Sequence, residues 1–362
     1  MHIMLEGETN KQHCAIMHHD VTMLFLRAEM VSNEYRTPLV PDDISELIQH
    51  GFLVWVQSSR HRVFSDQDYK NAGAFITPLE WYETLLDPAT TLIIGLKEID
   101  LTQLNGHHHM YFSHSFKGQQ GALTILNAFR FRTSTLWDME YFRNPSTQQR
   151  CMSFGFYAGI CGCLLGLLQC VGGGGGGLQK PLVPWNSYDE ALRQVCGQVF
   201  CSSRQSFRIA IVGPSGECGR GVRHVLEELG LSAVGIGRQD AKTGSFDLVF
   251  NCIQLDGSNN ELWTDLEAKT IVDVSCDVSK HNHPFRHLYT EETTWENPVR
   301  VVPSGDVNVI CISNLPSLLP RESSAYFSKQ CVSTLFLSLE RDVWQKCHDA
   351  FINALSPTVC HK

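Results

Sequence analysis

Short apolar runs alternate with stretches in which apolar residues recur at helical spacing along most of this chain. Leu24–Leu26 is the first apolar run. Pro41-Asp42-Asp43 then starts a helix, with Ile44, Leu47 and Ile48 on one face and Gly51 as its stop. Phe52–Val56, Leu92–Ile94 and Met110–Phe112 read as strands, Gly118–Phe129 as a helix, and Ser134–Trp137 as another strand. After a glycine run the pattern resumes. Ser187 and Glu190 form a capping box ahead of Ala191, Leu192 and Val195. Strands are expected at Ile209–Val212, Ala233–Ile236, Asp247–Asn251, Thr270–Val274 and Val309–Ile312. Alternating strands and helices mean βαβ units and mostly parallel sheets. The expected class is α/β, with two Rossmann-like domains and an interdomain cleft where ligands meet. Residues 22–150, completed by about 315–362, would form one domain and 178–314 the other. Residues 151–177 would be a crossover helix and a glycine-rich linker, and the first 20 residues a loose extension.

One stretch of this pattern carries chemistry of its own. In IAIVGPSGECGRGVRHVLEELG the strand ends in four glycines, Gly213, Gly216, Gly219 and Gly221. Val222, Val225, Leu226 and Leu229 then mark a helix that Gly230 closes. Strand, glycine turn and helix hold a pyrophosphate, because glycine lets the backbone approach the phosphates and the helix N-terminus supplies N–H groups and positive dipole. Asp240 lies 21 residues beyond Gly219, where a carboxylate accepts hydrogen bonds from a ribose 2′-OH. That favours NAD, while Arg238 keeps NADP open as the alternative.

Composition narrows the rest. With 38 acidic against 29 basic residues the net charge is −9, which argues against a nucleic-acid or anionic-membrane surface. The chain has 14 cysteines but no Cys-x-x-Cys pair and no convincing signal peptide, so a reducing, cytoplasmic setting is expected. Cys161 and Cys163 lie in an apolar run and read as small buried hydrophobes. Residues 151–177 carry no charge, and Gly155/Gly159 and Gly162/Gly166 repeat the small-xxx-small spacing of membrane helices. A buried helix is the expected reading, because a lone mid-chain span would strand the two halves on opposite sides of a bilayer. His107-His108-His109 could suggest a metal, but consecutive residues point in alternate directions, so a solvated loop and no metal site are expected.

The N-terminal half places polar residues where strands are expected to end: Glu34 and Arg36, Lys97 and Glu98, His114 and Lys117, Glu140, and Arg150. Strand ends are where α/β active sites collect. The segments RAEMVSNEYRTPLVP, IIGLKE, YFSHSFKGQ, TLWDMEYF, FGFYAGICGCLLG, VGPSGECGRG, FNCIQL, VDVSCD and NLPSLLPRESSAYFS follow one another. In that order the chain closely resembles the NAD-dependent, L-lysine-forming saccharopine dehydrogenases over roughly residues 22 to 345. It is more distantly similar to alanine dehydrogenases and the transhydrogenase domain. The resemblance implies a monomer that oxidises saccharopine with NAD to an imine, then hydrolyses it to L-lysine and 2-oxoglutarate. Its proton-transfer lysine and histidine match Lys97 and His114. The chemistry agrees, since hydride leaves the carbon only when a base has freed the amine lone pair. Burial or a neighbouring cation such as Lys117 would lower the Lys97 pKa, and Glu98 would raise it. Arg36, Lys117 and Arg150 would clamp substrate carboxylates, and Glu34 and Glu140 would hold those cations or the substrate amine.

The chain also departs from that family. Ser313-Asn314 stands where Asp-His or Asp-Asn often precedes Leu-Pro-Ser, which removes a carboxylate near the nicotinamide end, and residues 277–284 differ. A related dehydrogenase with another amine substrate, or a non-catalytic NAD-binding regulator, are the alternatives. Cys218 and Cys252 match family cysteines that can form a disulfide beside the nucleotide. Free thiols are expected in a reducing compartment, with a redox-sensitive bridge as the alternative.

Overall fold

The computed structural model describes residues 21–116, 121–172, 178–201, 207–253, 262–278, 280–302, 307–336 and 341–355. The N-terminal extension, Lys117 and glycines 173–177 lie outside them. Two compact units result, one from residues up to Ser153 together with those from Ser324 onward, the other Phe154–Ser323.

The first unit holds a parallel sheet. Its strands are Met23–Leu26 (β1), Leu53–Gln57 (β2), Phe75–Thr77 (β3), Thr91–Ile94 (β4), His108–Tyr111 (β5) and Thr135–Asp138 (β6), in the order β3-β2-β1-β4-β5-β6. Helices Pro41–Gln49 (α1), Asp66–Asn71 (α2) and Ala122–Phe131 (α3) follow β1, β2 and β5. Apolar runs without alternation mark strands covered on both faces, and Leu24, Phe25, Leu26, Leu92 and Ile94 are fully buried. The sequence pattern passed over α2 and β3, both short. Ser65 starts α2 through a reciprocal capping box with Asp68. The chain runs outward from β1 to β3 and then returns to the other side of β1 as β4. That return makes a topological switch point between β1 and β4, where α/β sheets bind ligands beyond the strand ends.

The histidine run is corrected by this sheet. His108 and His109 lie in β5, an inner strand between β4 and β6, and His107 and His109 are buried rather than solvated. Burial pulls the pKa of His109 down to about 3, and its Nε2 lies 3.1 Å from the Leu104 carbonyl. It is a neutral core residue. No three metal-ligating side chains cluster among the described residues.

The second unit carries strands Ile209–Val212 (β7), Val234–Ile236 (β8), Gly244–Asn251 (β9), Leu266–Asp273 (β10), Arg300–Val301 (β11) and Asn308–Ile310 (β12). Their order is β11-β12-β10-β9-β7-β8, parallel except for β11, which pairs antiparallel with β12. Its helices are Gly155–Val171 (α4), Tyr188–Cys201 (α5) and Glu217–Glu228 (α6). Ser187 Oγ accepts the Glu190 N–H at 3.2 Å, but the Glu190 carboxylate turns to the Asn186 N–H at 3.0 Å, so the expected box is only half made.

The uncharged segment 151–177 contains α4, which belongs to the second unit and lies on its sheet. No described helix is long and apolar enough to cross a membrane. The glycine spacing has another cause. A Cβ on Gly162 would sit 2.9 Å from Val274, and one on Gly166 would sit 2.8 Å from Val272, so both press α4 onto β10 and its end. A Cβ on Gly159 would fall 1.9 Å from the Cys218 carbonyl, and one on Gly221 would fall 2.0 Å from the Phe156 carbonyl. These two glycines let α4 and α6 touch backbone to backbone. Gly221 is therefore a helix-packing residue, a correction to its expected place at the phosphates. Replacing it by alanine overpacks the contact against rigid backbone and should cost at least about 1–3 kcal/mol in chemical denaturation. Gly216→Ala, whose Cβ meets nothing closer than 3.8 Å, should stay within about 0.5 kcal/mol of the parent. Equal losses in the two variants would contradict this division of labour.

Candidate functional site

Four neighbouring strands of the first unit, β1, β4, β5 and β6, deliver the predicted polar residues just beyond their C-terminal ends. Glu34 and Arg36 follow β1, Lys97 follows β4, His114 follows β5 and Glu140 follows β6. Strands about 4.8 Å apart carry them side by side. Two groupings form, each centred on a carboxylate.

Glu34 centres the first. Its carboxylate takes a two-pronged contact from Arg36, with Nε at 2.7 Å and Nη2 at 2.6 Å, and both residues are buried. Lys97 Nζ stands 3.9 Å from the same carboxylate. Burial, then the Arg36 guanidinium, lowers the Lys97 pKa below its ordinary value, against the opposing pull of Glu34, Glu29 and Glu98. Arg36 thus acts as the neighbouring cation that had been expected of Lys117, which lies outside the described residues. Glu98 is exposed.

Glu140 centres the second grouping. Its Oε1 lies 3.5 Å from His114 Nδ1 and 3.2 Å from Arg150 Nη2. His114 is about half exposed, with a left-handed φ of 54° and its ring stacked on Phe112. Each acid–base candidate is therefore tied through one carboxylate to one arginine. Such a tether orients the side chain, and at Lys97 burial outweighs the pull of Glu34 toward the protonated form.

Sequence reasoning passed over the supports beneath these residues. Glu29 accepts the N–H groups of Leu96 and Lys97 at 2.6 and 3.1 Å, and Arg27 pairs with Glu29 and donates to the Lys97 carbonyl. Asp138, fully buried and raised in pKa by burial, accepts from Ser113 Oγ at 2.8 Å and from the Glu140 N–H at 3.0 Å. The only available signal was position, since Arg27, Glu29 and Asp138 all fall at strand ends. Ser324 and Ser328 hydroxyls accept the N–H groups of Thr37 and Val40, both at 3.0 Å, which fixes the segment carrying Glu34 and Arg36.

In the second unit the glycine turn sits at the other switch point, between β7 and β9. Gly213 has a φ of 83°, which only glycine adopts without strain. A Cβ on Gly219 would lie 2.2 Å from the Gly213 carbonyl, so the turn can fold tightly against α6. Gly216, whose Cβ would meet only the Gly213 carbonyl at 3.8 Å, caps α6. The turn keeps Gly213 and Gly216 bare at the positive end of a helix, and Arg220 neutralises Glu217 there. These residues fit a pyrophosphate.

The remaining predicted residues are less concerted. The Asp240 carboxylate turns back onto the Gly237 N–H at 2.6 Å, and both Asp240 and Arg238 are exposed in the turn after β8. Ser313 is exposed beyond β12, and Asn314 accepts the Trp295 indole N–H at 2.8 Å. Cys218 and Cys252 are free thiols, with Cys252 buried and its pKa pushed well up by burial. The altered segment 277–284 supplies His283, whose Nε2 lies 2.8 Å from buried Asp273. Burial alone would raise the Asp273 pKa. Contacts with His283, Ser275 and Tyr289 outweigh it and hold the carboxyl below its usual range.

A glycine turn at one switch point and tethered acid–base residues at another define an α/β dehydrogenase. Residues 25–161 match the family model described as "Alanine dehydrogenase/PNT, N-terminal domain". Among solved structures, an L-alanine dehydrogenase superposes with TM-score 0.65 at 14% identity, covering 92% of this chain and 94% of that one. The transhydrogenase of Sinorhizobium meliloti gives 0.62 at 14% identity, covering 88% and 95%. These share the fold. Saccharopine dehydrogenase (NAD(+), L-lysine-forming) of Candida glabrata is 32% identical, with 86% of this chain and 90% of that one covered. The enzyme of the same name from Neurospora crassa is 33% identical over 90% and 92%. This chain belongs to the family of L-lysine-forming, NAD(+)-dependent saccharopine dehydrogenases.

Proposed function

We propose that the chain catalyses the reversible, NAD-dependent cleavage of saccharopine to L-lysine and 2-oxoglutarate. The observation that carries this reading is the pair of carboxylate-tethered groups, Lys97 on Glu34 and His114 on Glu140, beyond neighbouring strands. When bound at the glycine turn, NAD supplies the hydride acceptor. Lys97 Nζ takes the proton from the secondary amine, which frees the lone pair that drives hydride departure and leaves an imine. Its lowered pKa makes the neutral amine accessible closer to neutral pH. His114 Nε2, with Nδ1 toward Glu140, assists water in adding to the imine carbon and returns a proton to the departing lysine nitrogen. Arg150 serves a substrate carboxylate, Arg36, whose fork is taken by Glu34, holds the Glu34 carboxylate beside Lys97, and Gly213, Gly216 and Gly219 hold the pyrophosphate.

NADH oxidation with 2-oxoglutarate and a panel of amines tests the proposal. L-Lysine is expected to support turnover far better than ornithine or other amino acids. Turnover confined to another amine would move the protein to a different dehydrogenase activity. Tight NADH binding with no turnover at all would make it a regulator.

A further inference from the structure

His114 is the exposed middle of an otherwise buried triplet. Ser113 and Ser115 on either side are buried, while His114 stands about half exposed with its left-handed φ of 54°. A residue other than glycine keeps such a backbone only where its surroundings hold it there. The hold is a hydrogen-bonded chain that ends on Asp138, the last residue of β6. The Ser115 hydroxyl lies 2.8 Å from Ser113 Oγ, and the Ser115 N–H donates to the same oxygen at 3.3 Å. Ser113 Oγ in turn donates to Asp138 Oδ2 at 2.8 Å. An ionised carboxylate only accepts, so the chain runs one way, and the proton and both lone pairs of Ser113 Oγ are used. The other oxygen of Asp138, Oδ1, takes the Glu140 N–H at 3.0 Å.

One buried carboxylate thus grips both partners of the second grouping. It holds the chain on either side of His114 through two serines, and it holds the backbone of Glu140, whose Oε1 faces His114 Nδ1 at 3.5 Å. In a histidine only χ1 and χ2 separate backbone from ring, so fixing the backbone goes far toward fixing the imidazole. We infer that Asp138 is a positioning residue, which sets the direction of the His114 ring and keeps the Glu140 carboxylate in front of it. Fully buried itself, Asp138 acts only through these two residues. That the held pair moves protons on saccharopine rests on the proposed function. That Asp138 holds it does not.

The test uses Ser113→Ala and Asp138→Asn, each alone and combined with His114→Gln, in steady-state kinetics and in NMR spectra of the histidine rings of the full chain. Each single variant should lower kcat roughly ten- to a hundredfold, the scale of a slightly misplaced catalytic group. The KM for NADH should not move. In the His114→Gln background the same substitutions should lower kcat by less than about a further twofold, because residues that act through one group are not additive. Above neutral pH the parent His114 should carry its proton on Nδ1, toward Glu140, and the variants should show a mixture of both tautomers. Should Asp138→Asn fail to fold, Ser113→Ala carries the test alone. Ser113→Ala with kcat and tautomer unchanged would overturn the inference. An equal loss of kcat with and without His114 would overturn it too, as the mark of merely structural residues. If the parent does not turn over saccharopine, yet the tautomer loosens in the variants, the activity reading fails and the positioning role stands. Normal parent turnover with variants indistinguishable from it gives the reverse.

Discussion

Lys97→Met should lower kcat by about 10²- to 10⁴-fold in both directions, the usual contribution of a positioned acid–base group. Methionine keeps an unbranched side chain of similar length, so the half-buried position after β4 stays filled. Glu34 and Arg36 remain paired with each other at 2.6 Å. The loss should therefore fall on proton transfer and leave folding and cofactor affinity intact. The pH profile gives the sharper signature. Lys97 works as a base only when neutral, and its pKa is lowered from 10.5. Saccharopine oxidation should rise with pH along a limb that lies below 10.5 and flattens once the amine is neutral. The variant should lack that limb. A kcat within tenfold of the parent, with the limb in place, would show that another group takes the proton.

Glu34→Ala should be the most destabilising change at the site. It leaves the buried Arg36, 6% exposed, without its counter-ion. Removing one partner of a buried ion pair costs about 3–5 kcal/mol, because the surviving charge is neither solvated nor compensated. Equilibrium denaturation reads this directly. Glu34→Gln keeps the shape and one acceptor oxygen, so it should lose less and allow kinetics. Glu34 raises the Lys97 pKa, so removing its charge lets burial and Arg36 act unopposed by it. The sign follows: the pKa drops further, and the activity limb moves to lower pH. A limb that moved upward would mean that Glu34 does not act on Lys97 as a charge.

Much of the architecture is visible in local patterns. Pro41 with two following acids starts α1, and Ile209–Val212 followed by glycines marks β7 and its turn, because these signals involve residues a few positions apart. Lys97, His114, Glu34 and Glu140 stand out through one rule, that polar residues just past parallel strands face ligands. The misreadings share a different cause. His107 and His109 look like solvated loop residues until β5 takes an inner place in the sheet. Gly221 looks like a phosphate glycine until Phe156, 65 residues earlier, comes to lie against it.

Residue types and their short-range spacing were enough to dictate the βαβ alternation and the glycine turn after β7, and to put polar side chains at the strand ends, among which the family resemblance singled out Lys97 and His114. Backbone hydrogen bonding, capping and amphipathic burial act within a turn or a strand, so one dimension records them. Which carboxylate meets which cation was decided by strand order. Glu34 reaches Lys97 because β4 returns beside β1, and Glu140 reaches His114 because β6 lies beside β5. Those placements set the burial and charge around Lys97, and only the folded sheet brings such distant segments within the few ångströms over which charges shift a pKa.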